Sequence, residues 1–225
     1  WNASPGVIQL CAFCGGIIAV TLAYNLARVA MANALVSLVL AGIIINALSS
    51  AGISLLKYLA DPYQQLPALE FWLMGGFHNA DWKKIKFIIP VLILGMLLVI
   101  LLRWHVNILS LGDDEAKSLG LPAALYRAVL IAASTFLVVS VVSVAGNVGW
   151  IGLVAPHITR FLVGNNHLKS IPASIFIGSS ILLLADTLAR TLTSSEIPIS
   201  IITSLVGAPF LGYLLWKVGR QTRWG

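Results

Sequence analysis

Few side chains in this sequence are of a kind that does chemistry, and spacing gathers most of them into three stretches. In Leu182-Leu-Leu-Ala-Asp-Thr-Leu-Ala-Arg-Thr, Asp186 and Arg190 stand four apart, so a helix puts them on one face. An acid at the centre of a bilayer costs about 2.5–3.5 kcal/mol on insertion scales, so ionisable residues there pair or act. A structural ion pair and a contact for an acidic partner both fit. In Ala145-Gly-Asn-Val-Gly-Trp-Ile-Gly-Leu-Val-Ala-Pro-His-Ile-Thr-Arg, Gly146, Gly149 and Gly152 recur every third residue, which permits a tight turn and close packing. Pro156 inside that apolar run predicts a kink and a freed carbonyl. His157 beside it is of a type that carries protons or binds metal, yet a lone histidine near a kink also reads as a packed, hydrogen-bonded group.

The third stretch is Asn107-Ile-Leu-Ser-Leu-Gly-Asp-Asp-Glu-Ala-Lys-Ser-Leu-Gly-Leu-Pro. Ser110 or Asp113 is expected to cap a short helix, with Asp113, Asp114 and Glu115 in its electropositive first turn. Gly120 suits the C-terminal stop and Pro122 the start of the next helix. One compact helix between two apolar runs is either an ordinary capped connector or a knob on which a partner docks.

Other chemistry is missing. The sequence holds no G-x-x-x-x-G-K-[ST] phosphate loop, no H-E-x-x-H, no Gly-x-Ser-x-Gly and no clustered carboxylate pair within a helix. Nucleotide binding of the usual kind and a membrane-embedded protease or transferase are thereby disfavoured. Cys11 and Cys14 have no second pair or nearby histidine, so they are expected to be two small buried hydrophobes; no metal site is expected.

The elements that position these residues are set by composition. Of 225 residues, 59% are hydrophobic and 10% charged, with a mean hydropathy of +0.94. A soluble domain carries roughly 25% charged residues, so the bilayer must be the solvent. The net charge of +6 comes from scattered Lys and Arg, not from a basic tract with interleaved aromatics, which argues against nucleic acid. Charges and Gly/Pro clusters predict seven crossings, at 6–27, 34–56, 87–102, 124–145, 150–163, 171–189 and 198–216. Residues 66–77 are apolar but too few to span, and read as a re-entrant or interfacial helix. Seven crossings separate the termini. With the C-terminus inside, nine basic residues face the cytoplasm (Arg28, Arg103, Lys117, Arg127, Arg160, Lys169, Lys217, Arg220, Arg223) and five lie outside (Lys57, Lys83, Lys84, Lys86, Arg190). The expected fold is therefore all-α: one polytopic bundle over residues 1–225, with a short re-entrant helix and a cytoplasmic surface helix. A start at Trp1 instead of Met suggests the later part of a longer protein.

Several separated motifs stand in one order: Leu40-Ala-Gly, Phe71-Trp-Leu-Met-Gly-Gly-Phe with Asp81-Trp82, Leu111-Gly-Asp-Asp-Glu-Ala-Lys-Ser-Leu-Gly-Leu, and Gly149-Trp-Ile-Gly-Leu-Val-Ala-Pro-His-Ile-Thr-Arg. Leu184-Ala-Asp-Thr-Leu-Ala-Arg, Glu196-Ile-Pro-Ile-Ser and Gly207-Ala-Pro-Phe follow. In these the chain resembles the permease family of iron–siderophore, haem and vitamin B12 ABC importers, the FecCD-type permeases. A family member has ten transmembrane helices, and this chain resembles the fourth to the tenth.

The resemblance implies a homodimer of permeases around a translocation path, a separate ATP-binding cassette subunit beneath it, and a periplasmic or lipid-anchored binding protein above. ATP and Mg then belong to the partner, this chain carries no cofactor, and its place is the cytoplasmic (inner) membrane of a bacterium or archaeon. Gly112, Asp113, Asp114, Glu115, Ala116, Lys117, Ser118, Leu119, Gly120 and Leu121 look like the coupling helix that seats in the ATPase. Arg190 matches an arginine that docks the binding protein. Asn33, Ala34, Leu35, Val36 and Ser37, with Met74, Gly75, Gly76 and Phe77, fall where the family lines its path and gate. Gly149, Gly152, Pro156, His157 and Asp186 are assigned to kinking and packing. The expected function is import of an iron chelate or cobalamin, with the Met-Gly-Gly-Phe variant leaning toward vitamin B12. The competing class is a secondary transporter or channel that needs no ATPase.

Overall fold

The computed structural model describes residues 5–29, 34–78, 80–193 and 196–222; Asn33, expected at the gate, lies outside them. Their regular structure is entirely helical: α1 (Pro5–Val29), α2 (Ala34–Leu59), α3 (Gln65–Leu73), α4 (Trp82–Leu109), α5 (Asp113–Ser118), α6 (Ala123–Ala145), α7 (Ile151–Val163), α8 (His167–Thr191) and α9 (Ile199–Thr222). Of these, α1, α2, α4, α6 and α8 are long and apolar enough to cross a membrane. Their surfaces bear large apolar groups such as Val39, Leu94 and Phe176, exposed at 62%, 68% and 72%. Such belts suit lipid, not water.

Three boundaries differ from expectation. The segment expected to cross at 150–163 is α7, whose 13 residues reach only about 20 Å at 1.5 Å per residue, short of a ~30 Å hydrocarbon core. The residues before it are consumed by a turn: Gly146 and Trp150 both have φ +68, and α7 begins only at Ile151. In contrast, α4 and α8 run past the expected 87–102 and 171–189. Lys83, Lys84 and Lys86 continue α4 as helix, because lysine is a good helix former whose long stem lets its ammonium reach the interface.

Small residues set the closest approaches. A methyl group at Gly16 would meet Val139 at 2.7 Å, one at Gly95 would meet Leu137 at 2.8 Å, and one at Gly207 would meet Trp150 at 2.7 Å. In lipid, packing at such residues replaces the hydrophobic force that joins helices in water. Gly149 and Gly152 do not share this role: nothing lies within 4 Å of a Cβ at either, and Gly149 precedes the helix altogether. Cys11 and Cys14 are exposed on α1, not buried, so they add to its outward face.

The bundle has two distinct ends. At one, α5 joins α4 to α6, Asn107 of α4 meets Asn166 at the start of α8, and Lys217 of α9 lies 5.2 Å from the ring of Phe161 on α7. At the other, α3 and the segment after it meet the C-terminus of α6 and the N-terminus of α9, near Arg190 at the far end of α8. The described basic residues divide between these ends as the sequence predicts. Arg28, Arg103, Lys117, Arg127, Arg160, Lys169, Lys217 and Arg220 lie toward the α5 end, and Lys57, Lys83, Lys84, Lys86 and Arg190 toward the other.

Candidate functional site

Two clusters, one at each end, hold most of the residues singled out by the sequence. The α5 end is built from a locally locked helix. Gly120 has φ +77, its N–H donates to the Lys117 carbonyl at 2.9 Å, and the Leu121 N–H donates to the Ala116 carbonyl at 3.0 Å. That pair of bonds is a Schellman stop, and glycine supplies the left-handed residue it needs. The accompanying apolar contact is present too: Ala116, fully buried, and Leu121 sit with Ile108 and Ala123 in one cluster, backed by Leu109 and Tyr126. A helix of six residues could not stand alone; this plug and its stop hold it.

The start of α5 differs from expectation. The N-cap position is Gly112, with φ +123, and it offers no side-chain cap. Ser110 instead ends α4, its Oγ donating to the Asn107 carbonyl at 2.6 Å. Asp113 opens the first turn as a helical residue. Outward, Asp114, Glu115, Lys117, Ser118, Leu119 and Gly120 are exposed, and Leu111 and Leu119 present apolar surface on either side of the charges.

At the opposite end, Arg190 is already engaged. Its Nε donates to Asp186 Oδ2 at 2.9 Å and its Nη1 to Glu196 Oε1 at 3.0 Å. The four-residue spacing predicted the first bond; the second depends on the chain turning back after α8. Two acids about one guanidinium leave this corner net negative. Lys57 at the end of α2 bridges to Glu70 of α3 at 2.8 Å, tying the short helix to its neighbour.

Beneath that bridge the chain interlocks through its backbone. The Gly76 N–H donates to the Ala145 carbonyl at 2.8 Å and the Ile199 N–H to the Gly75 carbonyl at 3.2 Å, while Ser200 Oγ donates to the Asn147 carbonyl at 2.6 Å. Gly75 and Gly146 face each other with φ +65 and +68; a Cβ on Gly146 would stand 2.5 Å from the Trp72 carbonyl oxygen, and one on Gly75 would strike Asn147. Thus Gly75 and Gly76, expected along a path, are buried in a clasp within this chain. Phe77 is taken up against Ala185, Ala189, Ile199 and Ile202, and Met74 is half-buried. Asn147 and Ser200 were not singled out, and no local pattern marks them; they are joined across 53 positions of sequence.

The remaining candidates are simpler. His157 is exposed, and its Nδ1 lies 2.8 Å from the Leu153 carbonyl, so it is hydrogen-bonded within α7 but not packed. Pro156 lies inside α7, between buried Ala155 and the Thr159 hydroxyl that donates to the Ala155 carbonyl at 2.7 Å. On α2, Val36 is exposed and Ser37 buried; Ala34 and Leu35 are described only as helix. Among the described residues no group of three or more His, Cys, Asp or Glu could hold a metal ion. An apolar cavity of about 480 Å³ opens among α1, α4 and α6, lined by Phe13, Pro90, Leu94, Ala133 and Phe136, with no charged wall to hold a polar ligand.

Comparison with known proteins gives a consistent picture. The model of a family described as the FecCD transport family matches residues 1–217. The chain is 42% identical over 188 residues to the molybdate import system permease protein MolB of Haemophilus influenzae, covering 84% of this chain and 56% of that protein. It is 40% identical over 215 residues to the hemin transport system permease protein HmuU of Yersinia pestis, covering 93% and 62%. The chain thus spans somewhat less than two thirds of these relatives. A solved ABC transporter assigned to the metal-chelate type, in an inward-facing conformation, superposes with a TM-score of 0.84 at 35% identity, over 96% of this chain and 76% of that one.

Proposed function

The chain belongs to the FecCD transport family, and from that premise we propose that it is the permease subunit of an ABC importer that carries a metal-containing small molecule into the cytoplasm. The observation that carries the reading is α5: a six-residue helix pinned on its inner face by Ala116 and stopped by Gly120, yet presenting Asp114, Glu115, Lys117 and two exposed leucines outward. Apolar groups exposed beside charges suit a protein groove better than water or lipid. We assign that groove to a separate ATP-binding cassette subunit, which binds ATP and Mg; this chain holds no cofactor of its own. Closure of the nucleotide-binding pair then moves α5 as a lever and rocks the bundle between two openings.

The same reading puts α5 on the cytoplasmic side, where eight described basic residues gather. It gives the Arg190 corner to a periplasmic or lipid-anchored binding protein. Because Arg190 is shared with Asp186 and Glu196, docking there requires the guanidinium to be redistributed among acids, not a free cation to be captured. The apolar lining of the cavity within one chain favours a path formed between two copies. The cargo class follows the names of the relatives, which include molybdate as well as hemin, and so is wider than the iron chelates and cobalamin expected from motifs.

The test is reconstitution of the full protein with its ATPase and binding protein in vesicles, with uptake of molybdate, hemin, a ferric siderophore and cobalamin measured with and without ATP. ATP-dependent uptake of one of them supports the proposal; uptake that needs no ATPase subunit makes the protein a secondary transporter. Gly120→Pro, which cannot adopt φ +77 and removes the N–H bonded to Lys117, is expected to abolish uptake while ATP hydrolysis continues. Charge reversal at Asp113–Glu115 should act in the same direction. Arg190→Glu is expected to weaken binding-protein affinity, and an unaltered affinity would remove the docking assignment.

A further inference from the structure

Asn107 was passed over in the sequence because one asparagine near a helix end has no signature. In the fold it is a hub. Its Oδ1 accepts from the His167 backbone N–H at 2.8 Å and lies 2.8 Å from His167 Nδ1. Its Nδ2 donates to Asn166 Oδ1 at 2.9 Å, and that same oxygen accepts the Leu168 N–H at 2.9 Å, capping α8. One turn earlier on α4, Arg103 Nη1 reaches the Leu168 carbonyl at 3.4 Å. Asn107 also holds the other neighbour, since its carbonyl accepts Ser110 Oγ and the next residue, Ile108, belongs to the plug under α5.

One turn of α4 therefore carries α5 on one side and the first turn of α8 on the other. From there α8 runs 25 residues, with Arg190 in its last turn at the opposite end. We infer that Asn107 is a positioning residue that latches α8 to the α5 lever, so that displacement of α5 is passed to α8 and on to the Arg190 corner. The inference rests on the importer reading above. Its chemistry is directional: the latch needs a donor from residue 107 and an acceptor from residue 166, and asparagine at 107 supplies a donor and an acceptor in one planar group.

That direction gives the test. Asn107→Asp keeps the acceptor to His167 but turns the donor into a second oxygen facing Asn166 Oδ1. Asn166→Asp keeps both of the bonds that Asn166 accepts. The two variants add the same charge within one hydrogen bond of each other, so a general effect of charge or folding moves them together and the latch moves them apart. In vesicles containing the full permease, ATPase and binding protein, Asn107→Asp should lower transported cargo per ATP hydrolysed by about tenfold, within the usual range for coupling between sites. Asn166→Asp should stay within about twofold of wild type, on the same scale. Equal ratios in the two variants, or a larger loss in Asn166→Asp, overturn the latch. Asn107→Ala, which adds no charge, decides the matter if Asn107→Asp fails to assemble: a wild-type ratio overturns the latch, and a tenfold loss supports it. A wild-type assembly that hydrolyses ATP without moving any cargo instead overturns the importer reading on which the latch depends.

Discussion

At the α5 end, segments meet through side chains: Ala116 and Leu121 buried against Ile108 and Ala123, and the amide pair of Asn107 and Asn166. At the Arg190 end, ion pairs and the packing of Phe77 are joined by a backbone interlock: Gly75 and Gly146 lie face to face, and carbonyls of Ala145, Asn147 and Gly75 are each taken by a donor from a different segment. A side-chain joint can break and re-form by rotating one torsion, whereas a backbone interlock has no room for even one methyl. The comparison teaches that the α5 end is joined by contacts that a single side chain can alter, and the other end by a backbone fit that admits no added atom.

The largest effect should come from breaking the backbone interlock. Gly146→Val, which puts a Cβ 2.5 Å from the Trp72 carbonyl in a left-handed conformation, is expected to cost about 3–5 kcal/mol, the range of severe core disruption. Thermal unfolding in detergent measures it, and a loss below about 1 kcal/mol, an ordinary mutational cost, would break the comparison. Next comes Ala116→Leu, which overpacks the plug. Its expected cost is about 1–3 kcal/mol, as for added methylenes in filled cores, and it should raise hydrogen exchange at 110–121 and not at 72–78. Equal exchange at both would mean that the ends are not mechanically separate.

Smaller still is Gly120→Ala, where a Cβ meets nothing within 4 Å. Only the left-handed conformation is penalised, by about 1–2 kcal/mol, so uptake should persist where Gly120→Pro abolishes it. Smallest is Lys57→Ala, which removes a partly exposed bridge to Glu70. It should change stability by less than about 1 kcal/mol, the usual worth of such a pair. A greater loss would show that side chains, as well as backbone, secure α3.

Much of the fold was legible because lipid imposes a simple rule. Apolar runs of about 20 residues must be helices that satisfy their own backbone, and α1, α2, α4, α6 and α8 follow from it. Gly120 was legible as a stop and Asp186–Arg190 as a pair, since both depend on neighbours within one or two turns. The start of α5 was misread because Ser110 and Asp113 are equally good caps by type, and the choice fell to how α4 ends. Gly149 and Gly152 looked like packing glycines by period. The work instead falls on Gly75 and Gly146, which period cannot pair because 71 positions separate them.

By itself, then, the sequence determined the solvent of this protein, its helical class, the two populations of basic residues and the short locked helix between two long ones, because each depends on composition or on contacts within a few residues. Only the tertiary structure decided that Arg190 is held by Glu196 as well as Asp186, that Asn107 reaches Asn166 and His167, and that two distant glycines interlock. Those are meetings of segments far apart in the chain. No propensity encodes them, since each partner's identity makes sense only once helices have packed and turned its neighbour toward it.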